Sequence, residues 1–266
     1  MVSMRDFDIA DTSSCTAAVY MLLNTPVNYE KTIVIVEGID DVEVYSRFFV
    51  NEKTCFYPDG NCDKHSLILT DLNVRYESRL VAIKDADFDR LNSVQHGFAN
   101  MFLSDSHDLE GMILCNGITG ELTEDDAQRC ADIDIYGFKE QLRDISMLKW
   151  YNNINHLGLN FKKLSVNVSI EEYWNNAIAN TEGTVTVTYD SFVDFLSTRQ
   201  ADLNELTNGH DLFELTYIYA KSFNKINFPK KVFFKRIRSA YTIDCFKTTD
   251  LYASLRECPI VSEYLL

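Results

Sequence analysis

The sequence is poor in residues that interrupt regular structure, with 10 glycines and 4 prolines among 266 residues. A loop-rich or disordered chain needs more of both, so packed elements are expected. No run of about 18 uninterrupted apolar residues occurs, so no membrane-spanning helix is expected. Met1 to Asp11 lacks a basic segment followed by an apolar stretch, so no secretory signal is expected either. The seven cysteines are scattered and form no C-x-x-C pair. An odd, dispersed set suits reduced thiols in the cytoplasm better than a disulfide framework. Cys62 and His65 have metal-compatible spacing, but no second pair follows them, and a loop thiol is the expected role of Cys62. No G-x-x-x-x-G-K-[ST] loop is present, so the chain is not expected to hydrolyse ATP itself. Positive charge is also in deficit: 25 lysines and arginines face 40 acidic residues, a net charge of −15. That argues against a general nucleic-acid coat protein, which attracts phosphate over a broad basic surface. It does not exclude a nuclease, because a site for Mg²⁺ must concentrate carboxylates.

What is present reads as α/β. Apolar residues make up 46% of the chain, enough for a sizeable core. An amphipathic helix is expected near Thr16 to Leu23. Thr32 to Val36 is a short β-branched run of the kind found in strands buried on both faces. It ends in Glu37-Gly38, and Asp40-Asp41 open a helix expected to reach Phe49. Further strands are expected at Thr54 to Tyr57, Leu80 to Ile83 and Phe98 to Leu103, with a segment of mixed pattern before Arg79 and a helix starting at Asp108. Strands alternating with helices indicate β-α-β units and a mostly parallel sheet. Later residues read as helices at 124–131, 137–156, 169–180, 189–200, 210–222 and 230–241, with a lone strand at 184–188. The expected organisation is an N-terminal helical segment (1–29), an α/β domain (30–118) and a mainly helical C-terminal domain (119–266).

Two strand ends carry the functional reading. In a parallel sheet, ligand sites gather where the C-terminal ends of the strands line one edge. Glu37 ends the first strand, and Lys84-Asp85-Ala86-Asp87-Phe88-Asp89 ends a later one. If the backbone stays extended, Asp85 and Asp87 point the same way, and Asp89 can join them. Lys84 then points to the opposite side and receives no catalytic role. Several carboxylates on one edge repel one another unless a cation sits among them, and Mg²⁺ favours such hard oxygens. The plainer reading is that these acids are loop residues or helix caps.

The stretch Ile33-Val34-Ile35-Val36-Glu37-Gly38, followed by Val81-Ala82-Ile83-Lys84-Asp85-Ala86-Asp87, resembles the Glu and Asp-x-Asp motifs of TOPRIM domains. Ser106-His107-Asp108-Leu109-Glu110 resembles the H-D-x-E segment of a TOPRIM-related family that accompanies ABC-type ATPases and includes the effector nuclease subunit of the PARIS anti-phage system. The resemblance covers roughly residues 30–115. It implies a TOPRIM-like (Rossmann-like) fold and Mg²⁺, with Mn²⁺ as a substitute. Glu37 would be metal ligand or general acid/base, Asp85 and Asp87 the paired metal ligands, Asp89 a third acid and Glu110 an auxiliary ligand. His107 would cap a helix or contact phosphate. The implied activity is a metal-dependent endonuclease of anti-phage defence, cleaving DNA or RNA (tRNA among the targets) when released from a partner ATPase; a homo-oligomer is left open. The competing readings are a non-enzymatic TOPRIM-like module that engages a partner ATPase or a nucleotide, and a phosphotransferase. A topoisomerase is disfavoured, since none of the 14 tyrosines has a recognisable nucleophile context.

One basic concentration stands out: Lys221, Lys225, Lys230, Lys231, Lys235, Arg236 and Arg238, interleaved with Phe223, Phe228, Phe233, Phe234 and Tyr241. It suits a nucleic-acid backbone with rings for stacking on unpaired bases. A solvated helix face with core phenylalanines is the commoner use of such a pattern, and a surface for an acidic partner accounts for it equally well. His210 at a helix start reads as structural, with a second-site acid/base role as the alternative.

Overall fold

The computed structural model describes residues 12–60, 62–116, 134–222 and 226–266. Along the chain the principal elements are α1 (Thr12–Leu23), β1 (Thr32–Val36), α2 (Ile39–Tyr45), β2 (Thr54–Pro58), α3 (Cys62–Tyr76), β3 (Leu80–Lys84), β4 (Met101–Leu103), α4 (Leu109–Asn116), α5 (Ile135–Asn155), α6 (Ile170–Asn180), α7 (Tyr189–Thr198), α8 (Leu203–Leu206), α9 (Gly209–Ser222), α10 (Lys230–Ala240), α11 (Ile243–Phe246) and α12 (Asp250–Glu257). The chain is α/β, with a four-stranded parallel sheet, flanking helices and a helical C-terminal part. It divides into two compact units.

The first unit holds the described residues of Met1–Asp85 together with Gln95–Ser104 and Ile243–Leu266. Its sheet has the order β2-β1-β3-β4, all parallel. Every residue of β1 and β3 is buried, which is why both read as continuous apolar runs instead of alternating ones. One face of the sheet presents Ile33, Ile35, Tyr57, Leu80, Ala82 and Met101 to Cys15, Val19 and Leu23 of α1 and to Ile68, Leu69 and Leu72 of α3. The right-handed crossover rule places α2, between β1 and β2, on the opposite face. There Tyr45 and the stacked Phe48 meet Phe246 of α11. The C-terminal residues close on the same unit: Leu266 N–H donates to Phe48 O, and Val50 N–H to Tyr264 O.

Three local expectations are corrected. The segment before Arg79 is the 15-residue helix α3, whose apolar positions Ile68, Leu69 and Leu72 form one inward stripe among polar residues. The strand expected at Phe98 to Leu103 shrinks to Met101–Leu103. The helix after Asp40 stops at Tyr45 and tightens into a 3₁₀ turn over Ser46–Phe48.

The second unit holds Ala86–Val94 and the described residues of Asp105–Thr242. Its long helix α5 buries Leu142, Ile145, Met147, Leu148, Trp150 and Tyr151. Trp174 of α6 stacks on Phe192 of α7, and Tyr151 packs against Phe192 and Phe195. The strand expected at 184–188 is irregular; Thr188 instead caps α7, its side chain accepting from Ser191 N–H. The helix expected at 124–131 lies outside the described residues. Among the described residues, no helix is long and apolar enough to cross a membrane.

Candidate functional site

In the order β2-β1-β3-β4, the chain leaves β1 toward β2 and leaves β3 toward β4. The two exits diverge, which makes the C-terminal ends of β1 and β3 the switch point at which open parallel sheets bind ligands. Glu37 follows β1 and Asp85 follows β3. Extending the register of Ile35↔Ala82 puts Glu37 beside Lys84, with Asp85 one residue beyond. Both acids are half-buried, and the Glu37 Oε2 atom is out of contact with solvent. The backbone of Glu37 is fixed from the other side, since its carbonyl accepts from Gly60 N–H at 2.7 Å while Asp59 N–H donates to Val36 O at 3.0 Å. Just beyond, Asp41 caps the turn into α2, its Oδ2 accepting from Gly38 N–H at 2.6 Å.

Lys84 is a feature that the sequence undervalued. It is buried, at 4% exposure, and its Nζ donates to Asp85 O at 2.9 Å. β3 ends at Lys84, so strand alternation puts Lys84 on the same face as Glu37 but does not fix the direction of Asp85. An ammonium group at this edge offsets part of the carboxylate repulsion.

A third acid also ends a strand here. Asp59 follows β2, level with Glu37, and its Oδ2 lies 3.0 Å from Nδ1 of His65 in the first turn of α3. Both side chains are fully buried. The sequence reading took His65 only as half of a weak metal pair with Cys62. The signal that could have found the pair is the six-residue spacing from a strand end into the first turn of the next helix. The side chain of Cys62 lies outside the described residues.

Asp87 and Asp89 belong to the second unit. The extended backbone assumed for them is absent, because Asp87 has φ +46° and Asp89 N–H closes a turn onto Ala86 O. Alternation therefore does not align Asp87 with Asp85. Asp87 is instead tied to His107: its N–H donates to His107 O at 2.6 Å, and His107 Nδ1 donates to Asp87 O at 2.7 Å. Buried His107 also packs on Phe88 at 4.7 Å between ring centroids, which favours the structural role over phosphate contact.

Glu110 sits in the first turn of α4 and is also committed. Its Oε1 accepts from Arg238 at 2.7 Å and lies 3.7 Å from His210 Nδ1. Next to it, Asp108 is wholly buried and joins two helix starts: Oδ1 accepts from Gly111 N–H at 2.8 Å and Oδ2 from Gly209 N–H at 2.7 Å. Burial pushes the Asp108 carboxyl above its ordinary range, with neighbouring Glu110 adding to the rise and the two backbone donors opposing it. Gly209 must lack a side chain, because a Cβ there would fall on the Asp108 carboxylate and the Gly111 amide.

The basic segment is partly consumed by packing. Lys230 pairs with Glu214 and Arg238 with Glu110. Phe233 is buried, and Phe234 packs on Phe213 at 4.8 Å. Arg236 covers the Phe228 ring at 4.4 Å. Lys231, Lys235 and Arg236 remain exposed on α10. Phe223 and Lys225 lie outside the described residues.

Among the described residues, no three His, Cys, Asp or Glu side chains form a group that could hold a metal ion. Mg²⁺ does not require one, since it is commonly bound by one or two carboxylates plus waters and substrate phosphate. Glu37 and Asp85, hard oxygen donors on neighbouring strand ends, suit that mode. No known protein family, curated protein or solved structure matches the chain.

Proposed function

We propose that this chain is a Mg²⁺-dependent nuclease with a TOPRIM-like fold, acting in the cytoplasm as the effector of an anti-phage system whose partner ATPase restrains it. The observation that carries the reading is the placement of Glu37 and Asp85 at the ends of β1 and β3, on either side of the divergence in strand order. The TOPRIM resemblance falls on the same two residues. Asp85 would hold the metal, and Glu37 would share it or orient the attacking water and accept its proton. Lys84 keeps the edge from accumulating unopposed negative charge. A bound Mg²⁺ would supply charge relief on the phosphoryl oxygens and on the leaving oxygen. The left-handed backbone at Asp87 and the Glu110–Arg238 pair support Glu37 and Asp85 as the primary pair.

A labelled-oligonucleotide cleavage assay, with single-stranded RNA, tRNA and DNA substrates, tests this reading. Wild type should cleave at least one of them with Mg²⁺ and not with EDTA, while Glu37→Gln and Asp85→Asn should lose at least about 10²-fold in rate, the lower end of acid–base contributions. Equal rates in all three proteins would reject it.

One observation favours a second reading, a non-enzymatic module binding a nucleotide or the partner ATPase. The buried Lys84 ammonium is itself a counter-charge for the acidic edge, so a metal is not needed to hold the acids there. Under that reading, Lys84→Met destabilises the fold and no divalent ion restores it.

A further inference from the structure

Lys139 of α5 is almost completely buried, at 3% exposure. A buried ammonium ordinarily has a carboxylate beside it. Here the donors of Nζ go to Asn204 Oδ1 at 2.5 Å and to Cys115 Sγ at 2.8 Å, and no carboxylate pairs with it among the described residues. Cys115, in the last turn of α4, is exposed on its other side. A nitrogen nucleophile inside the fold therefore touches a sulfur that solvent can reach. Asn204 fixes the geometry, because its own helix α8 is capped by Asp202, whose Oδ1 accepts from Asn204 N–H at 2.7 Å.

We infer that Cys115 and Lys139 form a covalent sulfur–nitrogen bridge under peroxide, a modification site that locks α4 to α5. The steps follow ordinary thiol chemistry. Peroxide transfers one oxygen to the Cys115 thiol, giving a sulfenic acid and one water. The neutral Lys139 amine attacks the sulfenic sulfur. The S–N bond forms as the S–O bond breaks, and hydroxide leaves as water with a proton from nitrogen. Cysteine and lysine together lose two hydrogens, and one peroxide becomes two waters. Two equivalents of a thiol reductant reverse the reaction, restoring thiol and amine and leaving a disulfide of the reductant.

The contact is preorganised, so the bridge needs little movement. It closes the chain across 24 residue steps between helices that meet the same partner, since α4 and α5 both pack on α9. Cross-linking that span constrains the unfolded chain as a disulfide does. Cys15 and Cys258 are buried and so less open to the oxidant than Cys115.

The test is peptide mapping by mass spectrometry after a brief hydrogen peroxide treatment of the whole chain. The expected product is a cross-linked peptide pair joining Cys115 to Lys139, lighter by two hydrogens and abolished by dithiothreitol, with a raised Tm before reduction. Lys139→Gln should yield Cys115 with added oxygen and no cross-link. Cys115→Ser, which leaves the buried lysine in place, should show neither product nor Tm change. Cys115 oxidised to sulfinic or sulfonic acid in wild type without the cross-linked pair, or Cys115 left unoxidised, would overturn the inference.

Discussion

The amide of Gly60 donates to the carbonyl oxygen of Glu37 at 2.7 Å, one residue past the end of the β1–β2 ladder. Gly60 takes φ +77°, a left-handed conformation that glycine adopts without a steric cost. The ladder thus extends beyond the strands and holds the Glu37 backbone on the rigid sheet, as the role proposed for Glu37 requires. The same extension brings Asp59 level with Glu37 and leads into the helix that carries His65.

That arrangement makes the Asp59–His65 pair a structural test. Both groups are fully buried, so removing one leaves the other without its compensation. His65→Ala should destabilise the fold by about 3–5 kcal/mol, measured by urea unfolding. A loss under about 1 kcal/mol would mean that the pair contributes little net interaction.

Glu110 is engaged by Arg238 across a largely buried contact. Glu110→Gln should cost about 1–3 kcal/mol of stability and leave the Mg²⁺ dependence of cleavage where it was. A marked rise in the Mg²⁺ concentration needed for half-maximal cleavage would return Glu110 to the metal.

Asp108 has a folded-state pKa raised above its ordinary value by burial. Its contribution to stability is present below the unfolded carboxyl pKa, falls as pH rises through the folded value, and is level above it. Urea midpoints measured across that interval should therefore decline with pH in wild type. Asp108→Asn removes this component, so the variant is less stable at low pH but shows a flatter decline. Parallel profiles would show that Asp108 does not titrate in this window.

Lys231 and Lys235 are exposed on α10, whereas Lys230 pairs with Glu214. Lys231→Glu with Lys235→Glu should weaken nucleic-acid binding and lower the salt slope by about 2, roughly 1 for each lost phosphate contact. Lys230→Ala, which only frees Glu214, should change the slope far less. Fluorescence anisotropy at several salt concentrations, with the Glu37→Gln variant as background, reads both.

The sheet was legible because β1 and β3 are buried on both faces, and a β-branched run such as Thr32–Val36 has few other uses. The helix expected over 169–180 is present as Ile170–Asn180, capped by Ser169, whose side chain accepts from Glu172 N–H. Helix α3 was not legible, since its apolar stripe is interrupted by polar residues and its packing comes from α1, far away in sequence. The return of Ile243–Leu266 to the sheet unit leaves no local trace, being made by contacts such as Tyr45 with Phe246. The strand ends themselves were legible, with Glu37 following β1 and Asp85 following β3, but alternation was carried too far into the loop, where Asp87 turns left-handed. Asp59–His65 and Lys84 escaped because their significance lies in burial, which a single sequence does not display.

The most direct measurement is anomalous diffraction from crystals soaked in Mn²⁺. A peak at the C-terminal edge of the sheet, coordinated by both the Glu37 and Asp85 carboxylates and lost in Asp85→Asn, is the predicted result. Wild-type crystals at saturating Mn²⁺ with no peak between those two side chains would contradict the metal-centred account.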